Sequence, residues 1–149
     1  MITHWGNEIE LLVPIEDAWE FLVESGRDLE WRAPWARGLR SLTPGPVAVG
    51  CRYETDYNLL NRAETVTVEI TEIEPPRLLA WRQTSESTFI TPDSRYELVS
   101  TGSGTRLRVH GTLEGHGPAS LGLGLFAAYM SRYVLPRQLL RLQRLLART

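Results

Sequence analysis

The chain has 149 residues, 42% of them hydrophobic, and a formal net charge of −2, which suits one domain spanning residues 1–149. A domain of that size buries roughly 68–70% of the surface its unfolded chain exposes, so a sizeable core is available without metals or disulfides. All sixteen basic residues are arginine, which excludes a lysine Schiff base, a lysine-linked pyridoxal cofactor and a P-loop lysine, and leaves acid–base chemistry to carboxylates, His or Tyr.

Trp5 to Val13 reads as a first strand ended by Pro14. Ile15, Ala18, Trp19 and Leu22 then recur at the three-and-four spacing of a short amphipathic helix, which Ser25 and Gly26 break. Asp28 suits the cap of a second helical turn carrying Leu29 and Trp31 and ended by Pro34. The connector Trp31-Arg32-Ala33-Pro34-Trp35 is rich in aromatics, which covers one end of a core or lines a cavity mouth.

Thr43-Pro44-Gly45-Pro46 is a turn cluster, after which the run of strands is expected to begin. From Cys51 to Leu59, Tyr53, Thr55 and Tyr57 alternate with charged residues; from Glu64 to Ile73, Val66, Val68 and Ile70 alternate with Thr and Glu. Pro75-Pro76 ends that strand, Leu79, Trp81 and Gln83 share a face of the next, and Tyr96 and Leu98 a face of the one after. Leu107, Val109, Gly111 and Leu113 oppose Arg106, Arg108, His110 and Thr112 beyond a glycine turn. Short turns between such runs predict an antiparallel meander with its apolar side inward.

Pro118 opens a closing helix expected to reach Arg148. Leu121, Leu125, Tyr129, Met130, Tyr133, Leu139, Leu142, Leu145 and Leu146 follow helical spacing, Gly122 and Gly124 weaken the first turns, and Pro136 is expected to kink or interrupt the helix. A lone long helix after a strand block needs an apolar partner, and the sheet is the large one available. The predicted class is α+β: a curved antiparallel sheet around a long C-terminal helix, with two short helices after the first strand.

Charge is unevenly placed. All eighteen acids lie at or before Glu114, with eleven arginines, net −7; Arg132, Arg137, Arg141, Arg144 and Arg148 follow, net +5. The last four are spaced four, three and four apart and share a helical face. That face reads as a solvated complement to the helix dipole and acidic sheet, or as a patch for an acidic lipid or protein. The mild acidity of the whole chain and the lack of an aromatic-basic strand motif argue against nucleic acid. Cys51 is alone and reads as a small core or edge residue. His4, His110 and His116 have no metal-ligand spacing, and His110 shares the outward parity of Arg106 and Arg108. Neither a metal nor another cofactor is implied. The N-terminal residues lack a signal-peptide pattern and no apolar run approaches the ~20 residues of a membrane span, so a cytoplasmic protein is expected.

The ordered set Val13-Pro14-Ile15-Glu16-Asp17-Ala18-Trp19, Trp31, Val49-Gly50, Glu74-Pro75-Pro76-Arg77-Leu78-Leu79-Ala80-Trp81, Gly104-Thr105-Arg106-Leu107 and the Leu142-to-Leu146 helix end covers nearly the whole chain. It resembles the START-like, or SRPBCC, helix-grip superfamily, and within it the polyketide cyclase/dehydrase-like branch. The resemblance implies a helix-grip fold; lipid-transfer domains, hydrophobic-ligand binders, aromatase/cyclases and chaperone co-activators share it, and fold does not fix activity.

Strand parity says which polar groups join the interior. Glu64 has the parity of Val66, Val68 and Ile70, placing a carboxylate inward at a strand start, or paired there with Arg62 or Arg52. The expected function is non-covalent binding of a lipid, isoprenoid or polycyclic aromatic between sheet and closing helix. Val66, Val68, Trp81, Gln83 and Val109 would form the sheet wall and Phe126, Tyr129, Met130 and Tyr133 the helix wall, with Trp31 and Trp35 at the entrance. The enzymatic alternative is an aldol cyclisation or dehydration of a polyketide-like substrate: Glu64, its pKa raised by burial, as base, and Tyr53, Tyr57 or Tyr96 as donors to the enolate. A third reading is a protein-interaction module working through the basic helix face.

Overall fold

The computed structural model describes residues 2–24, 28–32, 36–59, 62–85, 90–115 and 117–147. Seven antiparallel strands form one sheet: β1 (Ile2–Leu11), β2 (Ala36–Ser41), β3 (Arg52–Leu59), β4 (Arg62–Glu74), β5 (Leu78–Gln83), β6 (Ile90–Ser100) and β7 (Thr105–Glu114). Two short helices, α1 (Ile15–Val23) and α2 (Asp28–Arg32), follow β1, and α3 (Leu123–Tyr129) and α4 (Leu135–Ala147) follow the sheet. The spatial order β1-β7-β6-β5-β4-β3-β2 is the expected meander, with β1 added beside β7. Register shifts between Ala36 and Gly38, Ile70 and Glu72, and Ile90 and Asp93 bend the strands, which gives the sheet its curvature.

The alternation that predicted the strands is the alternation of burial. In β7, Thr105, Leu107, Val109, Gly111 and Leu113 are buried while Arg106 and Arg108 are exposed. His110 lies on the outward side, half-buried, with Nε2 3.1 Å from Glu97 Oε1. Two boundaries differ from expectation. β1 pairs with β7 from Ile2↔Glu114 to Leu11↔Thr105, so it starts before Trp5 and stops before Val13; the length of its partner sets its ends. β2 precedes the proline-rich turn, where no strand was expected. It is an edge strand with little apolar alternation, held by Arg40, whose guanidinium donates to Glu54 at 2.5 Å and to Asp56 at 2.9 Å.

α1 begins at Pro14, whose carbonyl accepts from the Asp17 and Ala18 amides, both at 3.1 Å. Glu16 and Asp17 lie in its first turn, where the helix dipole favours acids. Ala18, Trp19 and Phe21 are buried against Ile70, Leu79, Tyr96, Leu98 and Leu107 of the sheet, and Leu135, Leu139, Leu142 and Leu146 of α4 join the same core. Full burial of each leucine contributes roughly 1.5–3 kcal/mol. Cys51 is buried in this core, its thiol directed at the Pro46 carbonyl 3.6 Å away.

The closing segment is interrupted next to Pro136, as one of the two expectations for that proline had it, and is divided further than expected. A tight 3₁₀ stretch (Gly117–Gly122) leads into α3, five residues (Met130–Val134) widen into a π-helical turn, and α4 follows. Proline lacks the amide needed for the α-helical bond and its ring clashes with the carbonyl four residues back. The distortion is therefore placed just before Pro136, where the Leu135 amide reaches the Met130 carbonyl five residues away. Gly122 and Gly124 are exposed around the 3₁₀-to-α transition. Arg148 lies outside the described residues, and so does His116.

Candidate functional site

The concave sheet face is filled unevenly, and an apolar cavity remains between it, α2 and the end of α1. Tyr53, Thr55 and Tyr57 project into it from β3, Val68 and Ile70 from β4, Leu79 and Trp81 from β5, and Tyr96 from β6. Leu22, Val23 and Glu24 at the end of α1, Arg32 of α2, Leu39 of β2 and Val47 complete the lining. The strands place these side chains together because residues two apart share a face and paired strands are in register, as at Tyr53↔Val68 and Val68↔Gln83. The cavity is partly open and its volume is about 80 Å³. That is well below the ~300–1,000 Å³ of pockets for drug-sized ligands.

The lining is aromatic with one polar end. Trp81 packs edge-on against Tyr96 with ring centroids 4.7 Å apart, and Trp31 lies 6.2 Å from the same Tyr96 ring. At the polar end, Arg32 Nη2 donates to the Tyr57 hydroxyl at 3.0 Å, and the guanidinium lies 5.4 Å from the Tyr57 ring centroid. Burial, with Cys51 adding to it, pushes the Tyr53 phenol above its usual range, so it stays protonated at neutral pH and available as a donor. Arg32 carries fixed charge into this end. The arrangement can hold an apolar body against the rings and accept an oxygen at Arg32 and Tyr57, with the Tyr53 phenol elsewhere on the same lining.

The structure brings together five of the residues singled out by sequence: Tyr53, Tyr57, Tyr96, Val68 and Trp81. Trp31 is 2% exposed and sits in the core behind Tyr96, so it buttresses the cavity and does not open onto it. Val66 and Val109 are buried on the inner face beside Thr55 and Tyr96 respectively, outside the lining. Gln83 is buried and tied up: its Nε2 donates to the Ser85 carbonyl at 3.0 Å and its Oε1 accepts from Thr91 at 3.4 Å. Glu64 is half-buried, opposite Tyr57 in the ladder, and does not line the cavity.

The expected helix wall is displaced. Phe126 packs with Leu113, Leu123, Ala127 and Trp5 in a separate cluster at the β1–β7 edge, and Met130 is half-buried in the π turn. Tyr129 and Tyr133 are exposed and pack on each other. No described residue of the closing helices lines this cavity, which lies beneath α2 and the end of α1. The physical reason is that α4 presses its leucines into the core, while the π turn is fastened to edge strand β1 by Ser131, whose Oγ accepts the Gly6 amide at 3.0 Å. Trp35 lies outside the described residues.

Arg32 and Thr55 were not singled out by sequence. Thr55 shares the parity of Tyr53 and Tyr57, which was the available signal; Arg32 had only its place beside Trp31 in a helical turn. A second, open depression of about 620 Å³ lies over β1, between His4–Glu8, Arg108, His110 and Ser131; its walls are polar, unlike the aromatic cavity. Among the described residues no group of three His, Cys, Asp or Glu is placed to hold a metal ion.

A curved seven-stranded sheet with two short helices after its first strand and a helical C-terminus defines the START-like helix-grip class. The chain belongs to the family described as polyketide cyclase/dehydrase and lipid transport, whose model matches residues 6–147. Among solved structures it is similar to TTHA0849 from Thermus thermophilus, at 15% identity over 97% of both chains with a TM-score of 0.78. It is similar to Ara h 8.0201, at 12% identity over 100% of both chains with a TM-score of 0.75. The Zhui aromatase/cyclase from Streptomyces sp. R1128 matches at 15% identity over 98% of this chain and 92% of that one, with a TM-score of 0.72. At such identities these likenesses establish the fold. No curated protein matches the chain.

Proposed function

We propose that this protein binds a hydrophobic small molecule, a lipid, isoprenoid or polycyclic aromatic carrying an oxygen acceptor, in the cavity beneath α1 and α2. The observation that carries this reading is the aromatic wall of Tyr53, Tyr57, Trp81 and Tyr96 with Arg32 at one end. The rings supply apolar area and the guanidinium orients the polar end. At about 80 Å³ the cavity is small for such a ligand, so binding is expected to widen it at α2 and the end of α1. Native mass spectrometry of protein purified without detergent tests it: a co-purified apolar mass, displaced by 8-anilinonaphthalene-1-sulfonate, is expected. Protein that neither carries such a mass nor binds that probe contradicts the reading.

A second reading is cyclisation or dehydration of a polyketide-like substrate, favoured by the Tyr57 phenol beside Arg32 in a cavity that Tyr53 also lines, donors of the kind a developing enolate requires. The family description names such activity, and the Zhui aromatase/cyclase shares the fold. In this reading Glu64 is the base, reached from its place opposite Tyr57 when the cavity widens. Glu64→Gln with a polyketide thioester substrate decides it: product formation falls at least about a hundredfold if Glu64 is the base, and unchanged turnover removes Glu64 from the mechanism.

A further inference from the structure

The solvent side of the closing helices carries two adjoining blocks. The first is apolar: Leu121 is 87% exposed and Leu125 79%, and Tyr129 and Tyr133 continue the row at four-residue spacing. The tyrosine rings lie 5.8 Å apart, so the end of the row is a continuous aromatic surface. The second block is cationic: Arg132, Arg137, Arg141 and Arg144 are exposed, with Leu140 among them. Among the described residues, Arg132, Arg137 and Arg144 have no acidic partner. The inward side of the same helices is fully used, by Leu123 and Ala127 in α3 and by Leu135, Leu139, Leu142 and Leu146 in α4.

The row is therefore not a core face left over from poor packing. The other exposed large aliphatic side chains, Ile2, Leu12, Leu42, Val49 and Val99, are scattered over separate parts of the chain, as on any soluble surface. Among the described residues, only here do exposed leucines and aromatics line up beside unpaired cations. After Glu114 the sequence has no acidic residue, while the rest of the chain carries net −7. An anionic plane would attract the helices and repel the remainder, turning this face toward itself.

A second copy fits poorly. One row of side chains on a convex helix is far short of the ~20–30 residues a side of a stable protein interface. Stacked in register it sets arginine against arginine, and stacked in reverse it desolvates guanidinium groups against leucine. A bilayer surface accepts a single apolar row to ~5–10 Å depth and offers phosphates to the arginines beside it. No helix among the described residues is long and apolar enough to cross a membrane, so the contact is with the surface.

We propose that the outward face of the closing helices docks the protein on an anionic lipid bilayer, with Leu121, Leu125, Tyr129 and Tyr133 in the headgroup–acyl boundary and the arginines on lipid phosphates. The surface is separate from the cavity, and the proposal stands whether or not a ligand is carried there.

Co-sedimentation with vesicles tests it, using phosphatidylcholine alone and an equimolar mixture with phosphatidylglycerol. The mixed vesicles are expected to bind the protein, phosphatidylcholine alone much less, and the binding to fall steeply with salt. Arg137→Glu/Arg144→Glu should lower partitioning on the order of a hundredfold, and Leu121→Ser/Leu125→Ser about tenfold. All four positions are exposed, so both variants should keep the wild-type melting curve, and either one alone suffices. Absence of binding to mixed vesicles at low salt overturns the proposal, as does equal binding by wild type and both variants. A dimer in vesicle-free sedimentation that Leu121→Ser/Leu125→Ser dissolves, without vesicle binding, assigns the face to a second copy. Capture by an acidic protein, again without vesicle binding, assigns it to a protein partner; either result overturns the lipid proposal.

Discussion

The two halves of the closing helical segment lie on the same sheet but are held in different ways. α4 puts four leucines into the main core and adds two side-chain ties, Gln138 Nε2 to the Arg32 carbonyl at 3.2 Å and Gln143 Nε2 to the Glu10 carbonyl at 2.6 Å. The 3₁₀ stretch, α3 and the π turn bury mainly Leu123 and Ala127, and lean on edge strand β1 through Ser131. The difference teaches that equal helical periodicity does not mean equal structural weight: α4 carries the fold, and the half before it is free to present its other side.

The strongest way to break that contrast is to cut both halves. Leu142→Ala should cost ~2–5 kcal/mol in urea unfolding, because Leu142 is fully buried and leaves a cavity. Leu125→Ala, at an exposed site, should stay within about 0.5 kcal/mol. Similar losses at both positions would refute the unequal weighting. The sheet against which both halves rest has its own tight point, since a Cβ on Gly111 would lie 2.3 Å from the Asp93 carbonyl oxygen and 3.1 Å from the Trp5 ring. Gly111→Ala should therefore cost ~1–3 kcal/mol or more, and a neutral result would mean that the β6–β7 ladder gives way easily.

Each half also has a side-chain anchor of its own, Gln143 in α4 and Ser131 in the π turn. Gln143→Ala and Ser131→Ala should each cost about 0.5–1.5 kcal/mol. Their readouts should differ: hydrogen exchange should speed in the π turn and α3 for Ser131→Ala, while Gln143→Ala should lower the protection of α4 and β1. Identical exchange maps would argue that the closing segment behaves as one unit. The smallest effect expected is at Glu10, whose carbonyl receives Gln143 and whose carboxylate accepts from the Thr101 and Ser103 hydroxyls. Those bonds, foremost Thr101, hold its pKa below the usual carboxylate value, with Arg106 assisting. A depressed folded-state pKa adds stability above the ordinary carboxylate range that is lost as pH falls through the lower folded value. Thr101→Val should shrink this acid-side loss, and an unchanged acid limb of the stability curve would contradict it.

The fold was legible wherever burial alternates cleanly. Val66, Val68 and Ile70 marked β4, and Leu107, Val109 and Leu113 marked β7, because one face of each strand meets the core. β2 was not legible, since an edge strand held by Arg40 with Glu54 and Asp56 shows no apolar period. The cavity was half legible: strand parity found Tyr53, Tyr57, Trp81, Val68 and Tyr96, but which helices roof them depends on tertiary packing. Helical spacing treated Tyr129 and Tyr133 like Leu139 and Leu142, although the first pair faces solvent and the second the core. Periodicity reports that a helix has an apolar stripe, and it does not report when a helix has two.

We propose above that the small space beneath α2 and the end of α1 is a ligand site. Titration with 8-anilinonaphthalene-1-sulfonate of wild type and Val68→Phe tests this most directly, because Val68 lines the cavity and a larger side chain fills it from the sheet side. Saturable single-site fluorescence enhancement is expected in the wild type and its loss in Val68→Phe, with melting temperature kept or raised. Undiminished probe binding by a folded Val68→Phe protein would contradict it.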